Sequence, residues 1–94
     1  MQFSVDHHDG VVVAAGEIDV AASRALAEAL AAARSGRDAL AVEMDQVTFL
    51  DSRGLRELLR PALDGVSVTL RRPSGPVVRL LHVAGVEDQF VVES

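Results

Sequence analysis

An α/β domain built on a mixed sheet is the fold this sequence predicts, and three observations predict it. Asp9-Gly10 stands between two short strand candidates, a hairpin signal because Gly tolerates the positive φ of a tight turn. Strand-like segments then alternate with segments that carry apolar residues at helical spacing, the order that builds βαβ units. The 94 residues amount to one domain on the usual scale of about 100 to 200 residues each.

Taken in order, residues 2–5 and 11–15 are the two strands of the opening hairpin. After Gly16-Glu17-Ile18-Asp19 the pattern changes: Ala22, Leu26, Leu30 and Ala33 fall on one helical stripe, predicting a helix over about residues 20–35. Asp19 is placed to cap its start, and Gly36 stands where a C′ glycine belongs. Residues 39–44 read as a central strand buried on both faces, so that strand, helix and strand form a right-handed βαβ unit. A second apolar run, Val47-Thr48-Phe49-Leu50, leads straight into Asp51-Ser52-Arg53-Gly54, and Leu55, Leu58, Leu59, Ala62 and Leu63 make the stripe of a second helix. Pro61 lacks a backbone donor and clashes with the carbonyl of Glu57, which predicts an end or a kink near Arg60. Val66, Val68 and Leu70 alternate with Ser67 and Thr69 as a further strand, one face of which is more polar. Pro76 suits a first helical position, Val77, Leu80, Leu81 and Ala84 form a short stripe closed by Gly85, and Phe90-Val91-Val92 is a last strand. The expectation is a sheet of four to five strands, with helices packed on it.

Composition narrows the function. The chain is 49% hydrophobic, 24% charged and 3% aromatic, which is too apolar for a disordered segment. All nine basic residues are Arg, against fourteen acids, and the net charge of −5 argues against nucleic acid or an anionic membrane as the main partner. There is no Cys, which excludes disulfides, thiolate zinc sites and thiol catalysis, and fits a cytoplasmic protein. No apolar run reaches the roughly 18 residues of a membrane span, and no export signal is visible. A core of this size gives modest stability, so a monomer or weak dimer is expected.

Residues 47–55 are the most informative segment, because an apolar run delivers Ser52 to a helix start. A phosphate on Ser52 would meet unpaired helix N–H groups and the positive end of the helix dipole. The plainer reading makes Asp51 or Ser52 an ordinary N-cap worth about 1 kcal/mol.

Phe49-Leu50-Asp51-Ser52-Arg53-Gly54-Leu55 resembles the phosphorylation-site signature of the STAS family of anti-sigma factor antagonists. Gly16-Glu17-Ile18-Asp19 resembles that family's Gly-Glu-Leu/Ile-Asp element, and residues 78–86 resemble its late Arg-Leu and Gly element. The three landmarks stand in the family's order and span nearly the whole chain, implying one STAS domain over residues 1–94. The resemblance implies a binding module without catalysis and without a cofactor. Its implied partner is a cytoplasmic anti-sigma factor kinase of ATPase-like fold, which phosphorylates Ser52 and so breaks the complex, with a PP2C-type phosphatase restoring it. It further implies that Asp51 fixes the position of Ser52, that Gly54 lets a partner's backbone approach, and that Glu17 and Asp19 share the docking edge.

The sequence departs from the family pattern at Arg53, where a second Ser or Thr is usual, and in lacking the family's usual C-terminal helix. Arg53, Arg56 and Arg60 fall opposite the leucine stripe as a basic face, read either as solvated or as a contact surface. The alternative reading is a non-switching STAS module, such as an accessory subunit of a lipid-transporting ABC system or a scaffold domain. A metal site at Asp6-His7-His8-Asp9 is not expected, because adjacent residues on a strand point to opposite faces. A serine hydrolase is not expected either, since the Gly-x-Ser-x-Gly elbow is absent.

Overall fold

The computed structural model describes residues 2–94. Strand β1 (Phe3–His8) and strand β2 (Val11–Ile18) pair antiparallel through a two-residue turn. Asp9 (φ 48°) and Gly10 (φ 78°) both take positive φ there, the combination a tight hairpin matching the strand twist demands. Helix α1 (Val20–Arg34) follows, then strand β3 (Ala39–Leu50), helix α2 (Ser52–Leu63), strand β4 (Ser67–Arg71), helix α3 (Gly75–Ala84) and strand β5 (Val91–Glu93). The five strands lie in sequence order across one sheet, β1 antiparallel to β2 and all later neighbours parallel.

One face of the sheet carries the core. Val12, Ala14 and Ile18 of β2, Leu40, Val42 and Met44 of β3, and Val68 and Leu70 of β4 are buried. They pack on Leu26 and Leu30 of α1 and on Leu55 and Leu58 of α2. Helix α3 lies against β3 and adds Val77 and Leu81 to the same cluster. The alternate positions Val11, Val13, Glu43, Thr69 and Arg71 stay half-buried or exposed. Helices α1 and α2 lie side by side and are tied at their C-terminal ends by Arg34 and Asp64, 2.9 Å apart.

Four differences from the sequence reading have local causes. Strand β3 does not stop at Met44 but runs through the apolar segment to Leu50. Between the Val13–Glu43 and Ala15–Gln46 pairs, and again between Gly16–Val47 and Glu17–Phe49, β3 spends one residue more than β2. These two bulges break the period-two pattern that marks a strand. Helix α2 passes Pro61 and ends at Leu63, because Pro61 falls in the last turn and only the carbonyl of Glu57 loses a partner. The amides of Asp64, Gly65 and Val66 then close the turn on the carbonyls of residues 60–62. The hairpin strands run longer than residues 2–5 and 11–15: the added Asp6, His7 and His8 are exposed polar residues with no apolar signal, and in β2 the half-buried Gly16 and Glu17 interrupt the apolar pattern before the buried Ile18. The last strand is Val91–Glu93, preceded by a 3-10 turn over Glu87–Gln89.

Candidate functional site

The site begins where the parallel strands β2 and β3 end together. Ile18 pairs with Leu50, and the amide of Asp51 donates to the carbonyl of Ile18 at 3.3 Å. The next residue of each strand is an aspartate that starts a helix, so Asp19 and Asp51 stand side by side at the C-terminal edge of the sheet. Each has extended backbone (φ −93°), leaving its carboxylate free to turn back onto the first turn of its helix. Asp19 accepts from the amides of Ala21 and Ala22, both at 3.1 Å. Asp51 accepts from Gly54 at 2.9 Å.

Ser52 is the first residue of α2 and is exposed. The amides of Ser52 and Arg53 have no acceptor among the described residues, so two donors remain at the positive end of the helix beside the Ser52 hydroxyl. Asp51 contributes by capping α2 rather than by a hydrogen bond to Ser52. Glu17, paired with Phe49, lies one residue before the buried Ile18 and therefore on the opposite face of the strand. The edge thus joins Asp19, Asp51, Ser52 and Arg53, with Glu17 behind it.

Gly54 has a packing role within the domain. It is buried, and a Cβ there would lie 2.5 Å from Cδ1 of Leu50 and 3.2 Å from Cγ2 of Ile18. The missing side chain admits the protein's own strand ends, letting α2 settle on β2 and β3. Arg53 and Arg56 are both exposed and line an open groove of about 830 Å³ between α1 and α2. Val20, Ala21, Arg24, Ala27 and Arg60 complete most of its walls. Arg24 was not singled out from the sequence. Its signal is that it is the only charged residue in the first two turns of α1, a helix otherwise built of alanines and small residues.

Among the described residues no group of three or more His, Asp or Glu side chains is arranged to hold a metal ion. None of their helices is long and apolar enough to cross a membrane.

A five-strand mixed sheet in this order, with three helices packed on it and a helix-start serine on an open edge, defines a single α/β domain. The chain belongs to the STAS domain family: the family model described as "Mlab, STAS domain" matches residues 1–93. Among solved structures, an anti-sigma factor antagonist from Mycobacterium paratuberculosis is 29% identical, with a TM-score of 0.76 over 98% of this chain and 84% of that one. SpoIIAA, an anti-sigma factor antagonist in its unphosphorylated form, is 19% identical, with a TM-score of 0.71 over 99% and 89% of the two chains. A candidate anti-sigma factor antagonist from Thermotoga maritima is 16% identical, with a TM-score of 0.77 over 98% and 86%. The last two identities speak for the fold alone. No protein of curated function matches the chain in sequence.

Proposed function

We propose that this domain is an anti-sigma factor antagonist that binds a cytoplasmic anti-sigma factor kinase and is switched off by phosphorylation of Ser52. The observation that carries this reading is the placement of Ser52, an exposed hydroxyl at the first position of α2 beside two unpaired amides. A kinase can reach that hydroxyl without unfolding anything. Once attached, the phosphate sits at the positive helix end, and Arg53 offers a further cation. The added charge and bulk on the docking edge separate the partners. The 29% identical antagonist of the same fold supports the general role. In this reading Asp19, Asp51, Arg53 and Arg56 frame the docking edge, a PP2C-type phosphatase resets the switch, and the domain itself catalyses nothing.

The test is incubation with an ATPase-fold anti-sigma factor encoded beside this protein, with ATP, followed by intact-mass measurement. One added phosphate is expected, absent from Ser52→Ala, and Ser52→Asp is expected to weaken the complex. Stoichiometric phosphate on Ser52→Ala would sink the site assignment.

A second reading is favoured by two observations: the matching family model carries the Mlab description, and Arg53 stands where a second hydroxyl is usual. In that reading the same edge docks on an ATPase without being modified, as in an accessory subunit of a lipid-transporting ABC system. Permease genes beside this one, together with a partner complex indifferent to ATP, would select it.

A further inference from the structure

On a protein whose net charge is −5, the groove between α1 and α2 is a local exception. Four of the nine arginines line it: Arg24 from α1, and Arg53, Arg56 and Arg60 from α2. Glu57 is the one acid in its walls, and it is paired with Arg60 at 3.2 Å. Arg24, Arg53 and Arg56 have no carboxylate within ion-pair distance among the described residues, as is also true of Arg37 and Arg79 outside the groove, whereas Arg34 and Arg71 each have one and Arg72 has two. Three uncompensated guanidinium groups therefore face one concave space. Its floor is made of small side chains, Ala21, Ser23 and Ala27, too short to cover those groups.

We propose that this groove receives an acidic segment of a partner protein, its carboxylates pairing with Arg24, Arg53 and Arg56. Charge complementarity selects the sign of the occupant, because guanidinium groups pair with carboxylates through two parallel hydrogen bonds. Shape and overall charge select its kind. The groove has walls on two helices and a volume of about 830 Å³, which suits a short chain segment rather than a flat membrane. The surrounding negative charge repels an extended polyanion such as nucleic acid, but not a segment small enough to sit within the basic strip. The groove opens beside Ser52, so an occupant seated in it is next to the docking edge. The proposal deepens the interaction-domain reading above and names the chemistry of that partner's contact.

The test uses the full chain and a fluorescein-labelled dodecapeptide of alternating Glu and Ala, followed by fluorescence anisotropy. Inorganic phosphate and phosphatidylglycerol vesicles serve as competitors. The peptide is expected to bind, and to bind more weakly as salt rises from about 0.05 to about 0.2 M, because these charges are exposed to screening. The double variant Arg24→Gln/Arg56→Gln is expected to bind about tenfold more weakly, and Arg79→Gln, outside the groove, as wild type does. Amide shifts in NMR spectra of the wild type should cluster at Ala21, Arg24, Arg53 and Arg56, a readout that needs no variant. Equal binding by the double variant, shifts elsewhere, or displacement of the peptide by vesicles at matched charge would each overturn the proposal. Failure here leaves the Ser52 switch standing. A Ser52 that accepts no phosphate leaves the groove standing, so the two readings fall separately.

Discussion

Single residues at the end of β2 and β3 do structural tasks that their chemistry makes measurable. Replacing Asp51 by Ala removes the acceptor for the Gly54 amide and is expected to cost about 1 kcal/mol in urea unfolding, with Asn retaining most of it. Asp19→Ala removes the acceptor for two amides and is expected to cost at least as much, about 1 to 2 kcal/mol. Gly16 is more demanding. Its φ is +84°, and a Cβ would stand 2.3 Å from the carbonyl oxygen of Gln2, which itself accepts from Glu17. Gly16→Ala therefore meets both a left-handed backbone and fixed main chain, and a loss of about 2 kcal/mol or more is expected in the same assay. Gly54 differs in that the atom it would meet belongs to the Leu50 side chain, which can swing away. Its replacement by Ala should displace the start of α2 more than it unfolds the protein. The packing role of Gly54 is only half visible in the sequence. Its position before a leucine stripe is visible in the sequence, but the two side chains it touches come from strands 4 and 36 residues away.

At the level of elements, the two long helices are held by very unequal interactions. Leu58 is fully buried beneath α2, and Leu58→Ala is expected to cost about 2 to 5 kcal/mol in thermal or urea unfolding. The Arg34–Asp64 pair joining the far ends of α1 and α2 is partly exposed, so a double-mutant cycle should return less than about 1 kcal/mol. Packing, not the ion pair, decides how the helices lie. Strand protection should be graded as well. The β3 residues between Leu40 and Met44, flanked by β2 and β4, should exchange their amide hydrogens slowest, and the exposed edge strand Val91–Glu93 fastest. Helices α1 and α2 were legible because their stripes and aspartate caps are local signals. The full length of β3 was not, since its bulges exist only relative to β2.

Across the whole molecule, the edge that carries Ser52 was legible in part. The family resemblance implied that Glu17 and Asp19 share an edge with the start of α2, and the joint ending of the parallel strands β2 and β3 puts Asp19 beside Asp51 and Ser52, with Glu17 on the other face. The basic groove was half legible: Arg53, Arg56 and Arg60 share a helix face, but Arg24 joins them only once α1 and α2 lie side by side. The average charge of the chain concealed that strip, since its acids are spread elsewhere. The two bulges in β3 also set what the gene can tolerate. Loops at Gly36 and Gly65 have open space around them and can absorb an insertion. Removing a single residue from the regular stretch Leu40–Glu43 would instead exchange the inward and outward sides of one part of β3 against the other. A deletion at the first bulge does the reverse: without Asp45 or Gln46, Met44 and Val47 still face the core on either side of one outward residue, and Asp51 still meets Asp19. Where β3 can lose a residue is therefore set by the strand beside it.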